Sequence, residues 1–312
     1  METIEMDQKR DWSWRIRLAG TILSILLLVW LLWQQDWQVI FDAVKELALW
    51  VVIVSFLLLL IRHGWNTARW FILVRAQKIP ISFLRALQLV MSGLFVSNFL
   101  PSMVGGDVIR IAGILQDSDN RVAGAASVVV DRLVGVFGML FVLPFSAPLI
   151  SLVLSEGFWV AGLAVSETDQ WKIRIKQSFQ KLMESLKIWI HQPGWLFLAL
   201  SASWLGVITY LSGVLLLATE IGIPVSLMDV AGATALTYFI TIIPLSINGY
   251  GIRELTILAF YTHFGASSEQ ATLLALITRF MFLIVSLPGA IWVGRVLPAK
   301  LPPNRPSRKD FG

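Results

Sequence analysis

Apolar runs separated by short polar breaks make up most of the chain. A helix needs about 20 such residues to cross a bilayer. Runs of that order lie near 17–34, 46–62, 84–100, 121–143, 145–165, 195–219, 226–243 and 269–297. Two shorter apolar pieces, near 107–116 and 252–265, interrupt the series. The segment 170–190 has another rhythm: Ile175, Phe179, Leu182, Leu186 and Trp189 recur at helical spacing, with lysines on the other face. That pattern predicts an amphipathic helix, lying on the inner leaflet or packed on the bundle. Four prolines, Pro298, Pro302, Pro303 and Pro306, mark 298–312 as a flexible cytoplasmic tail. The expected fold is all-α. A single transmembrane domain over 1–297 holds about eight full spans plus two short broken or re-entrant helices.

Each short piece follows the same motif. The first is Asn98-Phe-Leu-Pro-Ser-Met-Val-Gly-Gly-Asp-Val-Ile-Arg110 and the second is Ile242-Ile-Pro-Leu-Ser-Ile-Asn-Gly-Tyr-Gly-Ile-Arg-Glu254. Gly106 and Gly249 lie five residues after Pro101 and Pro244, and Arg110 and Arg253 lie nine after them. Proline ends a helix by removing a donor and clashing with the preceding turn. Glycine lets the chain reverse. An arginine at such a break sits at membrane depth, where its charge is costly and needs a partner or a polar cavity.

Composition agrees with the pattern. The chain has 312 residues, 56% hydrophobic and 14% charged, with mean hydropathy +0.73. Soluble domains carry about 25% charged residues, so this is a multi-pass membrane protein. The absence of cysteine excludes disulfides, thiolate metal sites and cysteine nucleophiles. The net charge of +5 resides in loops and tails rather than in a nucleic-acid patch. Trp12, Trp14, Trp33 and Trp37 flank the first run, which reads as an uncleaved span because no small-residue cleavage site follows it.

Basic residues set the expected orientation. The N-terminus, a 63–82 loop with Arg69, Arg75 and Lys78, the 166–192 segment and the tail should be cytoplasmic, placing both termini inside a plasma or inner membrane. Loops near 35–45 and 220–225 should be outside. The span 84–100 then runs outward and 226–243 runs inward, so the first motif should emerge on the outer side and the second on the inner side. Similar motifs approached from opposite faces predict inverted-topology repeats. Each short piece takes the chain back across, with a re-entrant hairpin as the alternative for 107–116.

The candidate substrate-binding set is Asn98, Gly105, Gly106, Asp107, Arg110, Asp131, Arg132, Asn248, Gly249, Arg253, Glu254 and Arg279. Asp107 and Arg110, three apart on one helix face, sit at a helix start that suits a phosphate or other anion. The plainer reading makes Asp107 an N-cap and Arg110 a snorkelling side chain. Arg253 and Glu254 are adjacent and should find different partners. Asp131 and Arg132 interrupt an apolar run and Arg279 interrupts the last span; either Asp131 or Glu254 could pair with Arg279. His63, His191 and His263 read as isolated interfacial residues, and Asp117-Ser-Asp119 as a polar turn rather than a metal site. No phosphate-binding glycine loop with lysine, metalloprotease helix or serine elbow is present, so ATP-driven transport by this chain alone is not expected. No catalytic residue, cofactor or metal is expected.

At these residues the chain resembles the lysylphosphatidylglycerol synthase transmembrane, or flippase-like, family. The features are Asn98 to Arg110, the Asp131-Arg132 pair, Pro244 to Glu254, and Arg279, over roughly 15–297. The resemblance implies movement of an aminoacylated phospholipid between leaflets. Relatives add a soluble aminoacyl-transferase domain after the membrane region. This chain ends about fifteen polar residues past its last span, which implies translocation without synthesis. Other relatives are joined to glycosyltransferases acting on polyprenyl-linked sugars, which brings in a polyprenyl-phosphate lipid. The expected partner is a membrane lipid with an anionic headgroup, met by Arg110, Arg253 and Arg279 in one chamber. A separate synthase and a homo-oligomer stay open, and nucleic acid is not expected. Two other classes compete: an intramembrane glycosyl or acyl transferase, and a non-catalytic partner of a lipid-modifying enzyme.

Overall fold

The computed structural model describes residues 33, 37–98, 105–118, 120–155, 192–242 and 249–296. The expected first span near 17–34, the 170–190 helix, the tail and Asn248 lie almost wholly or entirely outside them. The described residues form helices and no strand: α1 (Trp37–Glu46), α2 (Leu49–Ala76), α3 (Phe83–Ser97), α4 (Gly105–Asp117), α5 (Arg121–Leu140), a short 3-10 turn (Leu143–Ser146), α6 (Ala147–Ser155), α7 (Pro193–Glu220), α8 (Leu227–Ile242), α9 (Ile252–His263), α10 (Ser268–Ser286) and α11 (Pro288–Val296).

Local chemistry sets several starts. Ser82 and Asn120 accept the amides of Arg85 and Ala123 at 3.1 Å. Ser267 and Gln270 cap each other reciprocally, and Pro193 begins α7. These satisfy amides that have no partner within the helix.

Four segments are long and apolar enough to cross a membrane: Leu49–Ala76, Arg121–Leu140, Pro193–Glu220 and Ser268–Gly294. The expected 84–100 and 226–243 spans are shorter, α3 and α8 having 15 and 16 residues. At 1.5 Å per residue they reach roughly 22–24 Å, less than a hydrocarbon core of about 30 Å. The rest of the expected eight are short helices or lie outside the described residues. A second difference concerns 63–82. It is not a loop: α2 runs unbroken to Ala76, because Thr67, Trp70, Leu73 and Val74 continue its buried face past Arg62.

Contacts give each helix a direction. The longest pair, α2 and α7, is antiparallel: the Ala48 amide donates to Glu220 (2.9 Å), Ser55 to the Gly213 carbonyl (3.2 Å) and Arg69 to Ser203 (3.3 Å). The helices α3 and α4 form a hairpin. Arg85 near its entry pairs with Asp117 near its exit at 2.7 Å, while Gly93 faces Gly106 near its tip. That tip lies inside the bundle, where Asn98 donates to Ser286 at 2.9 Å, ten residues before α11 ends. The helices α8 and α9 form a second hairpin. Its entry and exit meet where Gly265 approaches Pro224 and Gln270 donates to the Ile221 carbonyl at 3.0 Å.

The two hairpins therefore enter from opposite ends of the bundle. The Glu46–Ala48 and 220–226 turns share one end, and the 77–82 turn and the start of α7 share the other. The residues that link the two arms of each hairpin, 99–104 and 243–248, lie outside those described; the outer ends of the arms meet at Arg85–Asp117 in the first and at Gly265–Pro224 in the second.

The first hairpin depends on glycine. A Cβ on Gly106 would stand 2.4 Å from the Gly93 carbonyl oxygen, and one on Gly93 would stand 2.6 Å from that of Gly106. Gly106→Val should therefore lower the thermal midpoint in detergent, overpacking costing about 1–3 kcal/mol. Gly64→Ala, with nothing within 4 Å of the new methyl, should leave it unchanged or raise it. Equal effects would show that the backbone contact does not hold the hairpin.

Candidate functional site

Two clusters of buried charge hold the hairpin tips. In the first, Asp131 is 2% exposed and sits midway along α5. Arg69 of α2 donates to its Oδ1 at 2.7 Å and Arg110 of α4 to its Oδ2 at 2.8 Å. Asp107 takes Arg132 through two bonds, at 2.8 and 3.0 Å, and Arg110 at 3.4 Å. Arg110 also lies over the Trp70 ring, 4.4 Å from its centroid. Three guanidiniums meet two carboxylates, so one positive charge is left over.

The second cluster surrounds the start of α9. Gly249 and Gly251 have positive φ, +71° and +80°, a conformation that glycine adopts without strain. This lets the Gly251 amide donate to Glu254 Oε2 at 2.8 Å. Arg279 of α10 donates to Glu254 Oε1 at 2.6 Å and covers the Tyr250 ring at 4.3 Å. Arg253 turns elsewhere, donating to Tyr210 at 3.3 Å and Thr278 at 3.2 Å, with Glu254 3.7 Å away. Arg62 of α2 lies 4.2 Å over the Tyr210 ring and makes no ion pair among the described residues. Here three guanidiniums share one carboxylate, and two positive charges are left over.

Between helices α2, α7, α8, α9 and α10 is a cavity of about 100 Å³, lined by Arg62, Tyr210, Thr237, Tyr238, Arg253, Thr278 and neighbouring apolar side chains. Among the described residues no carboxylate lines it. One guanidinium nitrogen of Arg62 and one of Arg253 are buried without a hydrogen-bond partner. The two clusters are linked through α2, whose Arg62 and Arg69 are seven residues, or roughly 10 Å, apart on one face. Tyr238 lies within electrostatic reach of Arg62, Arg69 and Arg132.

The sequence-derived set thus divides. Asp107, Arg110, Asp131 and Arg132 come together, as do Gly249, Arg253, Glu254 and Arg279. Glu254, not Asp131, pairs with Arg279. Among the described residues, Arg253 lines the cavity and Arg110 and Arg279 do not. Arg110 is drawn to Asp131 and Trp70, Arg279 to Glu254, and Arg62 stands beside Arg253 instead. Asn98 clasps Ser286 away from the cavity, and Gly105 and Gly106 are packing positions. Sequence reasoning missed Arg62, Arg69 and Tyr210. It ended a span at Arg62 and put Arg69 in a loop, although apolar spacing continues to Val74. Of the plainer readings, His63 is buried against Phe282 rather than interfacial. Asp117 pairs with Arg85. Among the described residues no cluster could hold a metal.

Asp131 neutralises two arginines at once, so its loss strands both. Asp131→Asn should destabilise the folded protein by about 3–5 kcal/mol, the cost of breaking a buried ion pair from one side, read as a fall in thermal midpoint. Replacing Arg69 and Asp131 together should cost less than the sum of the single changes. Additive losses would mean that the two groups do not interact.

The chain is 22% identical over 275 residues to the UPF0104 membrane protein MJ1595 of Methanocaldococcus jannaschii, covering 75% of this chain and 81% of that one. No solved structure matches it. The family model described as "Lysylphosphatidylglycerol synthase TM region" matches residues 17–289, which include both hairpins and both charge clusters. The chain is a multi-pass membrane protein that belongs to the lysylphosphatidylglycerol synthase transmembrane-region family.

Proposed function

We propose that this protein moves a lipid with an anionic headgroup between leaflets, without catalysing a chemical change and without hydrolysing ATP. The observation that carries the reading is a cavity with no carboxylate among its described lining residues, beside an Arg62 nitrogen buried without a hydrogen bond or ion pair and an Arg253 that Glu254 only approaches, at 3.7 Å. A buried charged donor without an acceptor costs the protein its full desolvation penalty. An anion entering the cavity supplies the missing acceptors. The acyl chains can stay in the bilayer while only the headgroup occupies the polar interior.

The two hairpins are proposed as inverted-topology repeats. Support comes from the repeated Pro-to-Gly-to-Arg spacing and from hairpins entering from opposite ends. Such an arrangement presents one internal site to either face when one half rocks against the other. In this scheme Asp131 and Glu254 hold the tips rigid by neutralising Arg69, Arg110 and Arg279. Arg62 and Arg253 remain to meet the ligand.

Glu254 is consequently a poor residue for a functional test, since its removal strands Arg279. Arg62 and Arg253 are better. Arg62→Ala and Arg253→Ala, each reconstituted in vesicles with a labelled anionic phospholipid, should slow leaflet exchange about tenfold or more, the worth of a charged hydrogen bond. The thermal midpoint of Arg62→Ala should stay near that of the parent, because Arg62 makes no ion pair among the described residues; that of Arg253→Ala should fall further, because it also removes bonds to Tyr210 and Thr278. Exchange at the parental rate in both variants would reject the proposal.

A further inference from the structure

We infer that the Arg62–Arg253 cavity selects a bare phosphate headgroup and discriminates against headgroups carrying an amine; this rests on the translocation reading above. Charge is the first reason. An ammonium group in the cavity would meet two guanidiniums and, among the described residues, no carboxylate. The nearby acids are committed: Glu254 to Arg279 and the Gly251 amide, Asp131 to Arg69 and Arg110, Asp107 to Arg132. Like charges in a water-poor interior repel strongly.

The aromatic faces give the second reason. Rings commonly receive ammonium groups by cation–π attraction, but here the protein's own arginines cover them. Arg62 lies 4.2 Å from the Tyr210 centroid and 5.3 Å from that of Phe282. Arg253 also approaches Phe282, at 5.3 Å. A lysyl ester would find no acid among the described lining residues, and the Tyr210 and Phe282 faces already taken.

Hydrogen bonding completes the case. Tyr238 and Tyr261 also line the cavity, and phosphate oxygens can accept from tyrosine hydroxyls. With two surplus positive charges in the cluster, a phosphomonoester dianion is the best-matched ligand. Guanidinium pairs recognise phosphate well.

The test uses the full chain in nanodiscs, titrated separately with phosphatidic acid, lysylphosphatidylglycerol and inorganic phosphate, with the thermal midpoint as the binding readout. Phosphatidic acid should bind about tenfold or more tightly than lysylphosphatidylglycerol, and Arg62→Gln should remove that difference. Arg62→Lys keeps the charge and should retain part of it, which separates lost recognition from lost folding. Equal binding of lysylphosphatidylglycerol would overturn the inference. Inorganic phosphate binding as tightly as phosphatidic acid would overturn the lipid as the source of the phosphate. Leaflet exchange of the same lipids in vesicles tests the parent reading separately. Selective phosphatidic acid binding without exchange supports the headgroup preference and rejects translocation. Arg62-dependent exchange of lysylphosphatidylglycerol at the rate of phosphatidic acid rejects the preference and keeps translocation.

Discussion

A charge inside a membrane protein has to find an opposite charge or a polar space, and this requirement organises the bundle. Asp131 is the clearest case. It receives Arg69 from one helix and Arg110 from another, so three helices are tied at one carboxylate. Glu254 performs the same service for Arg279 and the Gly251 amide. Few alternative packings could satisfy these groups together, since moving any one helix strands a charge in a medium of low dielectric. The pairs add to apolar burial a demand on register that hydrocarbon packing alone cannot impose.

The broken helices are the counterpart of that demand. An uninterrupted span would carry Arg110 or Arg253 past the buried acids. Short helices paired as hairpins put both arginines at interior helix starts. The turns need backbone approaches that only glycine allows, as at Gly93 against Gly106, or positive φ, as at Gly249 and Gly251. The hairpins reach the interior from opposite ends. The long helix α2 runs beside both tips and gives one arginine to each, Arg69 to the first and Arg62 to the second.

The two clusters differ in how far they are satisfied. The first is nearly neutral and knit by bidentate contacts, which suits a fixed structural joint. The second keeps two surplus charges beside a cavity, which suits reversible ligation. That asymmetry separates arginines neutralised by buried acids from those left beside the cavity, a division that residue type alone does not reveal.

The membrane class, the helical fold, the two duplicated breaks and most of the charged residues at their tips were legible in the sequence. Each of these depends on local features: run length, proline and glycine spacing, and charges set in apolar surroundings. Family membership followed from the same stretches. Tertiary structure decided the partners. The pairing of Glu254 with Arg279, the sharing of Asp131, and the replacement of Arg110 by Arg62 at the cavity all join residues distant along the chain. No periodicity encodes which acid an arginine will reach. Arg69 illustrates the limit: by its sequence it is a basic residue beyond an apolar run, in keeping with a cytoplasmic loop. Only the continuation of α2 beside α5 turns it inward, because there its charge has Asp131 to meet.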